Sequence, residues 1–340
     1  MSRNNNLQSH MLITLTCIAC LFSSCLKDKC EQTYRYKMFK PVYISAEELR
    51  AAVKTLPATP LLETGKIYYK SPYLFVNEIN KGIHIIDNSN PSMPQNISFI
   101  NIPGNIDIVV KGNILYADSY IDLVVLDITN PQNISEVSRV IDVFPNRIYE
   151  GGWVGDPAKG IVADWIESDT TIISECYGDP WGWGGMEGDI IFFGAQFDGG
   201  ISSTGSSSNN SPGVGIAGST AQFALYDEYL YCLTDATLEL FDISDPVFPQ
   251  QGSTVEMPWN IETIFPYNTY LFIGSTTGVQ IYDNSNPSSP TFLSNFVHAS
   301  SCDPVVVSGN YAYSTLRSGN ACQGFTNQLD IIDISTISNP

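Results

Sequence analysis

Short runs of alternating apolar and polar residues cover most of the chain, and clusters of Gly, Asn, Asp and Pro separate them. A period of two and many β-branched residues are typical of strands, so the pattern predicts an all-β protein. Five runs share one form, in which an apolar strand ends in Asp and a turn with Pro follows. They are GIHIIDNSNPSMP (82–94), DLVVLDITNPQNI (122–134), LELFDISDPVFP (238–249), GVQIYDNSNPSSP (278–290) and QLDIIDISTISNP (328–340).

The segment 104–143 contains one complete repeating unit. It predicts four short strands in a row, which are IDIVVKG, ILYADS, DLVVLDI and SEVSRVIDV. Four short strands that recur roughly every 40 residues are typical of the blades of a β-propeller. The chain is therefore predicted to be a β-propeller of about six four-stranded blades over 65–340. The predicted blades cover 65–102, 103–146, 147–216, 217–258, 259–300 and 301–340.

Two of these units depart from the template. The third keeps GIVADWIESDTTII (160–173), which fits strands two and three, but it has no Asp-Pro turn and carries a Gly-, Ser- and Trp-rich insertion at about 177–216. The sixth stops at Pro340, where its fourth strand is expected. We therefore expect a last blade that is either incomplete or closed by an N-terminal strand, for which FKPVYIS (39–45) is the candidate.

The segment 39–64 is predicted to hold this strand and one short helix. The helix is predicted within SAEELRAAVK, because Ser45 and Glu48 have the spacing of a capping box. In the repeated turns, Asp and Asn side chains are expected to accept hydrogen bonds from the backbone two residues on. The turns lack the ligand spacing of calcium loops, so we predict neither a metal site nor a cofactor.

The third-strand motifs resemble the LVIVD repeat family. The motif stands here as LVVLDI (123–128), with IHIIDN, LELFDI, VQIYDN and LDIIDI at the other positions. Members of this family are bacterial propellers that are exported or surface-located, often as lipoproteins, and mostly without an assigned activity. The resemblance implies a propeller at the cell envelope, and it brings no catalytic residues with it.

The first residues form a predicted export signal. MLITLTCIACLF (11–22) is a short apolar run that follows a charged start, and Ser23, Ser24 and Cys25 come next. LFSSC resembles the lipobox of bacterial lipoproteins, with Phe22 where Leu is usual, and an ordinary secretory cleavage nearby is the alternative. We expect a signal peptide at 1–24, a lipid on Cys25 and a polar tether over 25–38. The predicted location is the cell envelope, at the outer membrane or cell surface.

Charge and cysteine content add two expectations. The formal net charge of −19 repels phosphate backbones, so nucleic acid is excluded as a partner. Disulfides persist outside the cytoplasm, and Cys302 and Cys322 fall at the same end of one blade, so they are predicted to form a bridge. Cys232 lies at an alternating strand position and is predicted to be a buried thiol.

Candidate chemistry lies in two places. Alignment of the first strands puts Glu262 and Asp303 at matching positions and Asp107 one step away, where carboxylates could face a central channel. Solvated rim charge is the alternative. In the insertion, Trp181 and Trp183 could offer flat faces to a sugar or an aromatic partner, unless they fold back on the blade.

Two functions are compatible with these features. The first is a non-enzymatic lipoprotein that binds envelope proteins or polysaccharide through one propeller face and contacts the membrane through its lipid. The second is an enzyme that acts on extracellular glycans through the channel carboxylates. His84 lies in a third strand and is expected to be a packed residue rather than a general base.

Overall fold

The computed structural model describes residues 31–144, 147–149, 153–175, 184–187, 190–197, 222–234, 236–258, 261–275, 278–297, 305–316 and 328–340. The chain divides into two units. One contains residues 1–40 and 167–209, and the other contains residues 41–166 and 210–340. Within the described residues almost every element is a strand, as the alternating pattern predicts.

The helix α1 spans Ala46–Ala51. The strands are β1 (Glu31–Ile44), β2 (Lys54–Pro57), β3 (Thr64–Lys70), β4 (Tyr73–Glu78), β5 (Gly82–Asp87), β6 (Gln95–Asn101), β7 (Ile108–Lys111), β8 (Ile114–Ser119), β9 (Asp122–Asp127), β10 (Ser135–Val140), β11 (Ile148–Tyr149), β12 (Trp153–Val154), β13 (Ile161–Glu175), β14 (Gly184–Glu187), β15 (Ile190–Phe197), β16 (Phe223–Tyr226), β17 (Tyr229–Leu233), β18 (Thr237–Asp242), β19 (Gln250–Glu256), β20 (Ile261–Tyr267), β21 (Tyr270–Ser275), β22 (Gly278–Asp283), β23 (Thr291–Val297), β24 (Val305–Ser308), β25 (Tyr311–Leu316) and β26 (Gln328–Asp333).

The second unit contains five sheets of the predicted blade type. Each is an antiparallel meander of consecutive strands, and we number them blade 1 (β3–β6), blade 2 (β7–β10), blade 3 (β16–β19), blade 4 (β20–β23) and blade 5 (β24–β26). Their first strands contact one another in the order β3, β7, β16, β20, β24. Small four-stranded sheets arranged in this way confirm the predicted β-propeller fold.

The prediction that 147–216 forms a blade is wrong for the residues that the structure describes. Blade 2 packs directly on blade 3, where Tyr116 and Leu123 share one apolar cluster with Leu230 and Phe241. The stretch predicted as two strands is the single strand β13, because ESDTT contains no Gly, Pro or Asn that would turn the chain.

The N-terminal strand does not complete the last blade. β1 lies in a sheet of order β13-β1-β15-β14 and does not pair with blade 5, whose described part has three strands. β1 begins at Glu31, inside the predicted tether, because Tyr34, Tyr36 and Met38 alternate and pack with Ile172. The short strand β2 pairs with β6 instead, at the outer edge of blade 1.

Helix α1 forms as its capping box predicts. The Ser45 hydroxyl accepts a hydrogen bond from the Glu48 N–H at 3.1 Å, and the Glu48 carboxylate accepts one from the Ser45 N–H at 2.9 Å. Leu49 is buried against Tyr120 and Ile161, so the helix is anchored by one apolar side chain. Its Arg50 also donates to the carboxylate of Asp122 at 2.8 Å.

The five repeated turns share the predicted hydrogen bonds. Oδ1 of Asp87 accepts from the N–H of Ser89 at 2.8 Å and from its hydroxyl at 2.5 Å. The same pattern recurs at Asp127, Asp242, Asp283 and Asp333, each with a Ser or Thr two residues on. These bonds lower the pKa of each turn aspartate.

Each of these turns, from blade 2 onward, is also fastened to the preceding blade. A serine on the fourth strand of one blade donates its hydroxyl to a carbonyl in the turn of the next blade. The pairs are Ser98 with Pro131, Ser138 with Val247, Ser253 with Ser288 and Ser294 with Ile337. We call these contacts blade latches, and they run in one direction along the row.

Tyrosines on the second strand add to two of the blade latches. The Tyr116 hydroxyl donates to the Pro246 carbonyl at 2.8 Å, and the Tyr231 hydroxyl donates to the Pro287 carbonyl at 2.9 Å. The repeated Asp-Pro turn is therefore both a corner within its own blade and an acceptor for the blade before it.

Candidate functional site

Most of the predicted site residues lie outside the described residues. These are Trp181, Trp183 and Asp303, together with the lipidation candidate Cys25 and the predicted disulfide pair Cys302 and Cys322. Their roles stay predictions. The two predicted site residues that the structure describes are Asp107, which directly precedes β7, and Glu262, which is half-buried in β20.

Asp107 corrects the channel prediction. Its side chain is fully buried, and it does not offer a carboxylate to a ligand. Oδ1 forms an ion pair with the Lys66 ammonium at 2.7 Å, and Oδ2 accepts from the Phe223 N–H at 2.7 Å. Since Lys66 belongs to blade 1 and Phe223 to blade 3, this carboxylate joins three successive blades.

Asp107 directly precedes the first strand of blade 2, and its burial there gives it a structural role. Desolvation raises the pKa of Asp107, and the charge of Lys66 opposes that shift. A carboxylate whose oxygens are already bonded across two blade boundaries has little capacity left to hold a cation or activate water.

A second buried carboxylate lies beside the first. Asp118 accepts on one oxygen from the Asn105 side chain at 2.9 Å and from the backbone N–H groups of Ile106 at 2.8 Å and Asp107 at 2.9 Å. Burial raises the pKa of Asp118 to about 6, although the nearby Arg147 acts to lower it. Asn105 continues the network by accepting from the Asn77 side chain at 2.7 Å.

Arg147 covers this network from one side. Its guanidinium lies 3.6 Å from Asp118 and 4.4 Å from the centre of the Tyr120 ring, and it also donates to the carbonyl of Gly104. A cavity of about 10 Å³ opens beside it, lined by Tyr120, Arg147, Tyr149, Ile161 and neighbouring residues. This volume accommodates about one water molecule.

Glu78 and His84 form a further buried polar pair in blade 1. Nε2 of His84 lies 3.1 Å from a carboxylate oxygen of Glu78, and the imidazole packs on Phe99 at 4.8 Å between ring centres. The Glu78 carboxylate also accepts from the N–H groups of Leu62 and Glu63. His84 is fully buried, so the expectation of a packed residue is confirmed.

Cys232 is also placed as predicted. It is a free thiol with no solvent exposure on the second strand of blade 3. Burial raises the pKa of the Cys232 thiol well above its ordinary value, and the buried Asp107 and Asp118 add to this shift. The thiol is therefore held in its inert, protonated form.

Sequence reasoning missed the network of Asn77, Asn105, Asp118 and Arg147. One signal was present, because the second strands of blades 1 and 2 carry Asn77 and Asp118 where blade 3 carries Leu233. Polar residues at a position that is apolar elsewhere in a repeat indicate a buried hydrogen-bond network at that position. Asn77 and Asp118 both bond to the Asn105 side chain, and Arg147, which lies outside the repeat template, is 3.6 Å from Asp118.

No helix among the described residues is long and apolar enough to cross a membrane. In the same part of the chain, no group of three or more His, Cys, Asp or Glu residues is arranged to hold a metal ion.

Three of the solved structures to which the chain is similar are described here. A protein from Lactobacillus plantarum is 11% identical, with 88% of this chain and 82% of that chain covered and a TM-score of 0.46. A functionally unknown protein from Desulfotomaculum acetoxidans is 7% identical, with 88% and 92% covered and a TM-score of 0.39. PorZ from Porphyromonas gingivalis, a surface component of the type-IX secretion system, is 11% identical, with 84% and 35% covered and a TM-score of 0.32.

The chain has no match among curated proteins. The family model of the LVIVD repeat matches it five times, at residues 65–100, 105–142, 217–255, 264–297 and 300–340. The five matches correspond to blades 1 to 5, and none of them covers residues 143–216. Together they cover more than half of the sequence, and the protein therefore belongs to the LVIVD repeat family.

Proposed function

We propose that this protein is a non-catalytic binding scaffold, exported from the cell and held at the cell envelope by a lipid on Cys25. A non-catalytic role is supported mainly by Asp107, the buried carboxylate among the candidate catalytic residues. Both of its oxygens are bonded within the fold, to Lys66 of blade 1 and to Phe223 of blade 3. The polar groups described between the first blades stabilise the contacts of the propeller, and this leaves the binding role to its outer surfaces.

The lipid anchor is supported by the order of residues at the N-terminus. A short apolar run is followed by small residues and then by Cys25, as in bacterial lipoproteins. A single acyl chain binds membranes weakly, whereas the several chains of a lipoprotein hold a domain at the surface. The net charge of −19 suits a domain that remains in water outside the bilayer.

The proposed contact surface is one propeller face together with the insertion at 177–216. Insertions in repeat proteins map to loops on one face, which is often the binding face. Trp181 and Trp183 are flanked by Gly and would supply flat apolar contact area to envelope proteins or polysaccharide.

The anchor is tested by growing cells that express the protein with an alkyne analogue of palmitate. We expect label on the wild type and complete loss of label in Cys25→Ser, which should then appear in the soluble fraction. Cys20→Ser is the matched control, because that cysteine leaves with the signal peptide and its replacement should keep the label. Equal labelling of wild type and Cys25→Ser would refute the anchor.

The binding surface is tested by crosslinking in intact cells and by retention on isolated envelope polysaccharide. Trp181→Ala combined with Trp183→Ala should lower the captured amount at least tenfold. Deletion of 202–211, a Ser-rich stretch in the same insertion, is the control and should leave capture unchanged. Identical capture by all three proteins would remove the insertion as the recognition element.

A further inference from the structure

The short strand β2 shows that the outer edge of a blade can accept an added strand. It pairs antiparallel with the last four residues of β6, Ser98–Asn101, at the edge of blade 1. Thr55 of β2 also donates its hydroxyl to the Ile134 carbonyl, in the turn of blade 2, at 2.8 Å. The added strand therefore bonds to one blade through its backbone and to the next blade through a side chain. Strand addition is a general way for a sheet edge to recognise an extended segment.

Blade 3 has the same edge, and no described strand covers it. Its residues Ser253–Glu256 are the counterparts of Ser98–Asn101, because the fourth strands of both blades have a bulge at the same point. β19 is the last strand of its sheet, and no described strand pairs with its outer side. The first three residues of the blade 1 stretch are at most 6% exposed. In the blade 3 stretch every residue is exposed except Val255, which is half-buried.

The edge of blade 3 carries a negative charge at the position that faces a lysine in blade 1. Lys54 of β2 lies opposite Asn101, and the counterpart of Asn101 in β19 is Glu256. Glu256 is exposed, and it has no ion-pair partner among the described residues. The buried Glu239 lies on the same side of the sheet, because it pairs with Thr254 and accepts from its hydroxyl at 2.7 Å. A basic residue opposite Glu256 would therefore form a favourable cross-strand pair.

The corresponding edges of blades 2 and 4 lack this charge. At the position of Glu256, blade 2 has Ile141 and blade 4 has Val297. In blade 2 the edge strand also contains Arg139, which forms ion pairs with Glu136 and with the buried Asp122. A basic extended segment is therefore expected to prefer blade 3 to these two edges.

We propose that the outer edge of blade 3, Ser253–Glu256, binds an extended segment of a partner protein by strand addition, with a basic residue of the partner opposite Glu256. A residue with a hydroxyl group would follow, as Thr55 does in β2. Its acceptor would be the carbonyl of Pro290, which is the counterpart of Ile134 in the turn of blade 4. The net charge of −19 favours a basic partner. This edge lies outside the contact surface proposed above, so the two proposals can fail separately.

The probe is the peptide AVKTLPA, which is residues 52–58 of this chain, with photo-leucine in place of its leucine. Irradiation with the full chain carrying Cys25→Ser should attach the peptide to β19 or to the turn of blade 4, and mass spectrometry locates the attachment. A peptide of the same residues in scrambled order should not label β19.

Charge variants of the protein test the role of Glu256. In Glu256→Lys the labelling of β19 should decrease by about fivefold, because an attractive cross-strand pair becomes repulsive. Glu47→Lys is the matched control, since it changes the net charge by the same amount at an exposed residue of α1. It should label like the parent.

Reversal of the charge on the peptide gives the decisive result. The same peptide with Glu in place of its lysine should label the parent weakly and Glu256→Lys strongly. Equal labelling of the parent by the two peptides would overturn the proposal, and this comparison does not depend on the folding of a variant. Labelling that is absent from β19, or confined to β6 of blade 1, would also overturn it. Thermal melting of each variant confirms that it is folded.

Discussion

At the scale of single residues, the carboxylate of Asp107 connects three blades that are far apart in the sequence. It is buried, and it bonds to Lys66 before it and Phe223 after it. Removal of one partner from a buried pair leaves the other partner without compensation, and this is more costly than the loss of a surface pair. Asp107 is therefore expected to matter for stability rather than for binding.

Asp107→Ala is expected to lower the free energy of unfolding by about 3 kcal/mol, because the Phe223 N–H and the Lys66 ammonium lose their acceptor. Denaturant unfolding followed by tryptophan fluorescence measures the change. Glu228→Ala is the control, since it removes an exposed partner of Lys111 and should change stability by less than about 1 kcal/mol. Equal losses in both variants would argue against the structural role of Asp107.

The sequence places Asp107 on the inner side of its blade but does not reveal its partners. A repeat alignment gives the position of a residue along a strand, and it carries no information on which neighbouring blade supplies a cation. Cys232 and His84 were easier to place, because an apolar alternating pattern alone predicts their burial.

At the scale of elements, the Asp-Pro turn of one blade and the strand residues of the preceding blade that bond to it together hold neighbouring blades in contact. The single proton of the Tyr231 hydroxyl is shared between the Pro287 carbonyl and the Asn284 side-chain oxygen, each 2.9 Å from the hydroxyl oxygen. These bonds fix the turn of blade 4 against blade 3, and the bond to Asn284 is buried.

Tyr231→Phe should lower the free energy of unfolding by about 1–2 kcal/mol, because two buried acceptors lose their donor while the ring still fills its space. Tyr313→Phe is the matched control, because the aligned Tyr313 hydroxyl forms no hydrogen bond among the described residues and the change should be near zero. Chemical denaturation of both variants measures this difference. Equal changes in the free energy of unfolding for the two substitutions would show that the Tyr231 latch does not stabilise the fold.

The strands of the five blades could be predicted because alternation and turn residues agree there. In the predicted third blade, 147–216, the same reasoning predicts the strand but not its partners. Its alternation is equally clear, but β13 continues without a turn over Ile161–Glu175 and joins the sheet that contains β1. Strand formation is local, whereas the choice of partner strand depends on which apolar faces remain to be covered.

At the scale of the whole molecule, two sets of carboxyl groups oppose each other as pH changes. The pKa of Asp118 is raised from 3.8 to about 6 by burial, so the folded protein takes up a proton between these values. Its contribution to stability is complete below about 3.8 and is lost as pH rises through 6. The turn aspartates have lowered pKa values, so their contribution is lost as pH falls below 3.8.

We therefore expect stability to be greatest in mildly acidic solution and to decrease toward neutral pH. Between pH 5 and 7.5 the part due to Asp118 should amount to about 1 kcal/mol. Denaturant unfolding at these two pH values measures it, and Asp118→Asn should remove most of the decrease because the amide does not ionise. A decrease of the same size in Asp118→Asn would assign the effect to other groups.

The one-way blade latches also bear on how a chain of this kind can change in length. Every blade that is flanked on both sides carries hydroxyl donors toward its successor and an accepting turn toward its predecessor. A duplicated repeat would thus carry both the hydroxyl donors and the accepting turn that it needs. Deletion of a repeat would bring the donor of one neighbour next to the accepting turn of the other. We therefore expect that a repeat could be gained or lost without compensating substitutions in the neighbours of the new or missing copy.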